Sequence, residues 1–173
     1  EIEKGTEFGN VLGNGVVATC KHLGVDRVPA FKGQSMPAHD ARATKASGVT
    51  YFTSPQGADH TAGISYDDAQ SKEGQVERSL KMQIFLSMAD TMGLCMLAAP
   101  ADVPRIIVYL KGLLKGRYGT DISANQLFEI GKETLRQELK FNKGTEVETA
   151  HPIPDWLRTE KLAPQSAVFD EKK

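Results

Sequence analysis

Between residues 25 and 64 the sequence has no helical periodicity and is broken repeatedly by proline and glycine. The breaks fall at Pro29, Gly33, Pro37, Gly48, Pro55, Gly57 and Gly63. Irregular segments longer than about 12–15 residues are uncommon in compact domains and usually carry a function or are disordered. This segment also contains Phe31, Met36 and Phe52, which disfavours disorder. We therefore predict a long, ordered, irregular loop at residues 25–64 that carries a functional site.

Segments with helical periodicity flank this loop and predict a mainly α fold. Residues 7–24 predict one helix that ends at Gly24, and Cys20 lies on its apolar stripe, where core packing explains a thiol better than metal binding. Residues 73–91 predict a second helix. Its core-facing residues are expected to be Val76, Leu80, Ile84, Met88 and Thr91.

Two helix starts follow, and then the composition changes. Asp102 with Pro104 predicts one N-terminus, with the helix continuing toward Gly116. Ser123 with Gln126 predicts a capping box for the next helix, which is expected to end near Asn142 and Gly144. We predict three parts: residues 1–72 with the first helix and the site-bearing loop, residues 73–146 as the helical body, and residues 147–173 as an extended surface arm. Trp156 in that arm is expected to be a packing anchor.

Composition narrows the class of protein. The chain has 173 residues, 40% hydrophobic content and a net charge of −1, which is typical of a soluble globular protein and predicts no nucleic-acid partner. Its longest apolar runs are too short for a membrane span. Its two cysteines, Cys20 and Cys95, suit a reducing compartment, so a cytoplasmic location is expected. Because the chain begins at Glu1 without an initiator methionine, we expect a piece of a longer protein.

The segment from Asp90 to Cys95 places a carboxylate, a glycine and a thiol at the end of the predicted second helix. Gly93 can adopt the positive φ that ends a helix, and it lets a ligand approach the backbone. Taken alone, the segment is explained better as an ordinary helix end followed by a cysteine in the core.

His39 and His60 lie in the irregular loop, and each taken alone is best explained as a structural hydrogen-bonding residue. The sequence around them indicates a more specific role. Three runs occur in order along the chain: K-G-Q-S-M-P-A-H-D-A-R, Y-F-T-S-P-Q-G-A-D-H and D-T-M-G-L-C, starting at Lys32, Tyr51 and Asp90.

These three runs resemble the tungsten-containing aldehyde ferredoxin oxidoreductase family. The family shows K-G-x-x-x-P-A-Y/H-D-P-R, then Y-A-T-S-x-R-G-A-x-H, then a helix ending in D-x-x-G-L-C. The chain's departures from these motifs include Ala41, where the family usually has proline, and Gln56, where it usually has arginine. The resemblance implies the C-terminal helical domains of such an enzyme.

The resemblance also implies cofactors and residue roles. In this family tungsten, or molybdenum in relatives, is held by two pterin cofactors, and a nearby 4Fe-4S cluster passes electrons to ferredoxin. It implies that Asp90 accepts hydrogen bonds from a pterin amino-pyrimidine edge, that Gly93 and Leu94 belong to the same cofactor-binding motif, and that Cys95 is one cluster ligand. Arg42 is expected to be a structural or cofactor-side contact.

For the chemistry, the resemblance implies that His60 is the active-site histidine and that His39 shapes the pocket or shares its hydrogen bond. The expected reaction oxidises a small aldehyde to a carboxylic acid. An imidazole can donate a hydrogen bond to the carbonyl oxygen or relay a proton.

Some parts of the family's site are absent from this sequence. The cluster needs three further cysteines from a C-x-x-C-x-x-x-C run, so this segment alone is expected to be inactive and to need an N-terminal domain or a partner chain. Two alternatives stay open: a reductive relative acting on aromatic acyl-CoA, and a helical structural or interaction fragment without catalysis. A homo-oligomer is also compatible with the sequence.

Overall fold

The computed structural model describes residues 1–97, 102–145 and 153–169, and within them helices dominate. The helices are α1 (Glu7–Gly13), α2 (Gly15–His22), α3 (Lys45–Thr53), α4 (Gln75–Thr91), α5 (Val103–Tyr118), α6 (Ala124–Asn142) and α7 (Asp155–Thr159). A 3₁₀ turn spans His60–Ala62. Two short antiparallel strands, β1 (Ala30–Phe31) and β2 (Gln34–Ser35), pair Ala30 with Ser35 and Phe31 with Gln34. The prediction of a mainly α fold is confirmed.

Helices α4, α5 and α6 enclose one apolar cluster. Its buried members are Phe85, Leu86, Met88, Ile106, Ile107, Leu110 and Leu127. Gly131 lies where α6 crosses α4, and a Cβ at this position would overlap the backbone oxygen of Ile84. The two longest described helices can therefore pack this closely only because position 131 lacks a side chain.

The predicted core-facing side of α4 is only partly right. Met88 is fully buried, but Val76 is 58% exposed and Leu80 is 53% exposed. The N-terminal half of α4 instead buries polar residues against α3, where Ser79 Oγ lies 2.7 Å from Thr50 Oγ1. Helix α4 packs between α3 and α6, so its buried surface does not follow a single apolar stripe.

The predicted helix starts are confirmed. Asp102 accepts a hydrogen bond from the Arg105 N–H at 2.8 Å, and Ser123 and Gln126 form a reciprocal capping box. Helix α6 ends at Asn142, near the predicted position. Helix α5 continues past the expected Gly116 to Gly119, which has a φ of 67° and so provides the left-handed C-cap.

The prediction of a single helix at residues 7–24 is wrong. The structure has two helices that meet at Asn14, because Gly15 has a φ of 87°, which an α-helix does not allow. Helix α2 contains no buried residue, and Cys20 is only partly buried. The expected core packing of Cys20 is therefore not observed.

The prediction that residues 25–64 lack regular structure is wrong for the strand pair and for α3. The buried face of α3 consists mainly of small residues, including Ala46, Ser47 and Gly48. A Cβ at position 48 would overlap the ring of Phe169, so the glycine makes room for an aromatic residue from the far end of the chain. Such a face has no apolar stripe that sequence periodicity could detect.

The prediction of an extended surface arm at residues 147–173 is wrong where the structure describes it. Ile153, Leu157 and Phe169 are buried, and they pack with Phe31 and Tyr51 of the predicted loop in a second apolar cluster. Residues 146–152 and 170–173 lie outside the described residues. Residues 153–169, which we call the tail, therefore complete the core beneath the loop.

Trp156 anchors the tail to the loop, as predicted. Its indole N–H donates to the Val28 carbonyl at 3.2 Å, and its side chain packs against the second cluster. Across residues 1–97, 102–145 and 153–169, no helix combines the length and apolar character needed to cross a membrane.

Candidate functional site

The end of α4 is a Schellman motif. The Leu94 N–H donates to the Ala89 carbonyl at 2.9 Å, and the Gly93 N–H donates to the Asp90 carbonyl at 2.9 Å. Gly93 has the positive φ, 71°, that this motif requires. The predicted helix-ending role of Gly93 is confirmed, and the chain reverses direction just before Cys95.

The side chains at this helix end differ in exposure. Asp90 and Cys95 are exposed, whereas Leu94 packs against the cluster enclosed by α4, α5 and α6. No atom lies within 4 Å of a Cβ placed on Gly93. Leu94 therefore anchors the turn, while the carboxylate, the open glycine and the thiol remain accessible. The interpretation of Cys95 as a core cysteine is wrong.

The structure brings His39 and His60 together. Their ring centroids lie 5.6 Å apart at an interplanar angle of 50°. Tyr51 fixes the backbone of the first histidine, because its hydroxyl donates to the His39 carbonyl at 3.2 Å. Burial raises the pKa of Tyr51, so this hydroxyl stays a donor over the whole physiological pH range.

Tyr66 is a further member of this group that the sequence motifs did not indicate. Its hydroxyl lies 3.1 Å from His39 Nδ1, and the two rings meet edge to face. A hydroxyl can donate to an imidazole nitrogen or accept from its N–H, so this contact holds the ring of His39 in either tautomer. No spacing rule connects Tyr66 to the histidine motifs, so only the fold reveals the contact.

Asp59 shapes the 3₁₀ turn that carries His60. One carboxylate oxygen of Asp59 accepts hydrogen bonds from both the N–H and the hydroxyl of Thr61, each at 2.8 Å. The same oxygen lies 3.8 Å from His60 Nδ1. Asp59 therefore caps the turn and places a negative charge beside the imidazole.

The histidine region and the end of α4 are neighbours in space. Partial desolvation of its carboxyl group first, and then the nearby charge of Asp59, raises the pKa of Asp90. A cavity of about 260 Å³ lies between α4, α6 and the loop residues Pro55, Gln56 and Ala62; Asp90 is part of its wall, whereas His39 and His60 are not. Two stretches that are far apart in sequence thus meet at one place on the molecule.

Arg42 is buried in a structural ion pair. It donates two hydrogen bonds to the carboxylate of Asp40, at 2.7 and 3.0 Å, and a third to the Glu160 carbonyl at 2.9 Å. Its guanidinium also lies 4.9 Å from the Trp156 ring centroid. These contacts tie the loop to the tail and support the structural interpretation of Arg42.

A comparison with protein families decides which family the chain belongs to. Residues 1–172 match the family described as aldehyde ferredoxin oxidoreductase, domains 2 & 3. The chain belongs to this family. Aldehyde ferredoxin oxidoreductases are redox enzymes, and the match covers all three motif runs. A comparison with curated proteins gives no match.

The residues present fit part of an aldehyde ferredoxin oxidoreductase site. An exposed carboxylate at Asp90, with open space above Gly93, suits the N–H edge of a flat cofactor. The exposed thiol of Cys95 suits a bond to cluster iron. Within the described residues, no group of three or more His, Cys, Asp or Glu side chains could enclose a metal ion. These residues therefore fit one face of such a site.

Proposed function

We propose that this chain forms the second and third domains of an enzyme that oxidises small aldehydes to carboxylic acids. Two electrons leave through a 4Fe-4S cluster to ferredoxin, and a first domain on the same or a partner chain completes the site. The reaction converts an aldehyde and one water into a carboxylic acid, two protons and two electrons.

The family match over residues 1–172 carries this proposal, and within it the two motif histidines pair while the 3₁₀ turn that carries His60 packs against α4, the helix that carries Asp90. The two imidazoles lie 5.6 Å apart, and Asp59, beside His60, acts electrostatically on Asp90. The pairing of the two histidines, from separate motif runs, supports a shared site more strongly than the motifs alone.

The cofactor-side residues have distinct roles in this proposal. Asp90 accepts hydrogen bonds from the amino-pyrimidine edge of a pterin, and Gly93 leaves room for the flat ring. Cys95 supplies one of four thiolates to the cluster. When bound, the tungsten or molybdenum centre supplies the two-electron acceptor for the substrate.

His60 acts on the substrate in this proposal. Its imidazole donates a hydrogen bond to the aldehyde oxygen, or moves a proton as the acid forms. Asp59 holds the 3₁₀ turn that carries His60, and Tyr66 orients His39 beside it. His60 therefore polarises the carbonyl group, while Asp59 and Tyr66 keep the two imidazoles in a defined arrangement.

The test replaces His60 with asparagine in the intact protein. Loss of a general acid–base group lowers turnover by about 10²–10⁴-fold, so we expect a drop in that range in dye-linked aldehyde oxidation. Metal content, measured on the same samples, should equal that of the wild type, because His60 is proposed to contact substrate.

His22→Asn is the matched control. His22 is exposed on α2, and its ring contacts only Phe8 among the aromatic pairs of the described residues. This variant should keep wild-type turnover. If His60→Asn also keeps it, the role proposed for His60 is wrong; if the intact wild-type protein oxidises no aldehyde, the proposed function is wrong.

A further inference from the structure

The cavity beside Asp90 has walls that hydrogen bonds hold in place. The Asn142 side-chain amide donates to the Pro55 carbonyl at 2.8 Å and ties α6 to the loop. Thr91 Oγ1 lies 3.0 Å from Thr134 Oγ1 and ties α4 to α6. The cavity volume of about 260 Å³ is far above the roughly 10–15 Å³ that one water molecule needs on this measure. The space is thus larger than a single structural water needs.

Two oxygen atoms in this wall are buried without a hydrogen-bond partner in the part of the chain that the structure describes. One is the hydroxyl oxygen of Ser87, a residue that is only 8% exposed. The other is Oε2 of Glu138 on α6. Both residues line the cavity together with Asp90. Buried polar atoms without a partner are rare, and each calls for an explanation such as a bound group.

Helical spacing explains why these groups face each other. Ser87 and Asp90 are three residues apart on α4, and Gly131, Thr134 and Glu138 follow at spacings of three and four on α6. Gly131 marks the line along which the two helices touch. Glu138 therefore lies one helical turn beyond Thr134 on the side of α6 that faces α4.

The cavity is rich in hydrogen-bond acceptors and poor in positive charge. No Lys, Arg or His is among the described residues that line it. Burial first, and then the charge of Asp90, raises the pKa of Glu138, so the two carboxylates repel each other electrostatically. A ligand that presents several N–H groups would satisfy both carboxylates and the serine hydroxyl together.

We propose that Glu138 and Ser87 join Asp90 in one acceptor pocket for a nitrogen-rich planar ring of the amino-pyrimidine class, so that Glu138 is a further cofactor-binding residue. This inference rests on the proposed function, because it assumes that the ring at Asp90 is that of a pterin. It adds a contact from α6, which none of the three motif runs includes.

The test measures pterin retention in the intact protein purified with its cofactor. Pterin is released by denaturation and quantified by the fluorescence of its oxidised form, before and after prolonged desalting. A hydrogen bond to a charged acceptor is strong enough that its loss should speed pterin dissociation by about tenfold or more in Glu138→Gln. Ser87→Ala, a smaller change in the same wall, should also lose pterin faster than the wild type.

Glu133→Gln is the matched control, because Glu133 is an exposed carboxylate of the same helix. It should retain pterin like the wild type. If Glu138→Gln does not fold, Ser87→Ala decides the question alone.

The outcomes separate the two proposals. Wild-type pterin with unchanged retention in Glu138→Gln and Ser87→Ala overturns this inference and leaves the proposed function intact. Unchanged retention together with a lower melting temperature of Glu138→Gln assigns its carboxylate to a contact within the protein, and also overturns the inference. A wild-type protein purified without pterin overturns both.

Discussion

The contact between α4 and α6 depends on a missing side chain, and Gly131→Ala tests this directly. A Cβ at position 131 would meet the backbone oxygen of Ile84, and it would lie 3.0 Å from the Cβ of Met88 and 3.1 Å from its backbone nitrogen. A backbone atom cannot rotate away as a side chain can. The substitution must therefore push the two helices apart, next to the cavity that Asp90 lines.

Two opposing terms set the size of the effect. Alanine is favoured over glycine inside a helix by about 0.5–1 kcal/mol. Overpacking a tight contact destabilises by about 1–3 kcal/mol, and a clash with backbone belongs at the upper end of that range. We therefore expect Gly131→Ala to lower the free energy of unfolding by about 2 kcal/mol.

Gly112→Ala provides the matched control. Gly112 lies inside α5, and no atom lies within 4 Å of a Cβ placed there. Only the helix-propensity term remains, so this variant should be more stable than the wild type by about 0.5–1 kcal/mol. The two variants should differ by about 3 kcal/mol, which corresponds to roughly 6–12 °C in melting temperature for a chain of this size.

Thermal unfolding and urea unfolding, both followed by helical circular dichroism, measure this difference. Equal melting temperatures for the two variants, or a more stable Gly131→Ala, would refute the close α4–α6 contact. If the chain binds pterin as proposed, a destabilised Gly131→Ala that also loses pterin faster than Gly112→Ala would connect helix spacing to the proposed cofactor site.

Two further predictions concern the second apolar cluster and its ion pair. Phe169→Ala should lower stability by about 3–5 kcal/mol because Phe169 is buried in the core, whereas Phe141→Ala, at an 83% exposed position, should change it by less than about 0.5 kcal/mol; similar urea midpoints for both would contradict the burial of the tail. Burial raises the pKa of Asp40, but the hydrogen bonds and charge of Arg42 outweigh it and hold the pKa below its usual value. This stabilisation is present above the unfolded pKa of about 3.9 and is lost as pH falls through the folded pKa, so the stability difference between the wild type and Asp40→Asn should shrink from about pH 6 to about pH 3. A difference that is constant with pH would refute the ion pair's contribution.

Features that depend on neighbouring residues were predictable. The capping box at Ser123 and the cap at Asp102 are formed by residues three positions apart, and both occur as predicted. The helix end at Gly93 also follows from one residue's freedom to adopt a positive φ. The ordered motif runs placed the chain in its family, and the match over residues 1–172 confirms that assignment.

Features that depend on residues far apart in the sequence were not predictable. Helix α3 was missed because its buried face is made of small residues that receive Phe169 from the tail. The sequence predicts a surface arm for the tail because Ile153, Leu157 and Phe169 are sparse along it, although they fill a core with Phe31. Hydrophobic periodicity reports one element at a time, so it cannot show a core shared by the two ends of a chain.

The candidate site divides in the same way. The sequence by itself determined the chemical groups: two histidines, a carboxylate, a glycine and a thiol in a recognisable order. Only the tertiary structure placed Tyr66 against His39 and brought Glu138 to the cavity that Asp90 lines. The reason is physical: hydrogen-bonding groups act over a few ångströms in space, and helix packing, not spacing along the chain, decides which groups come that close.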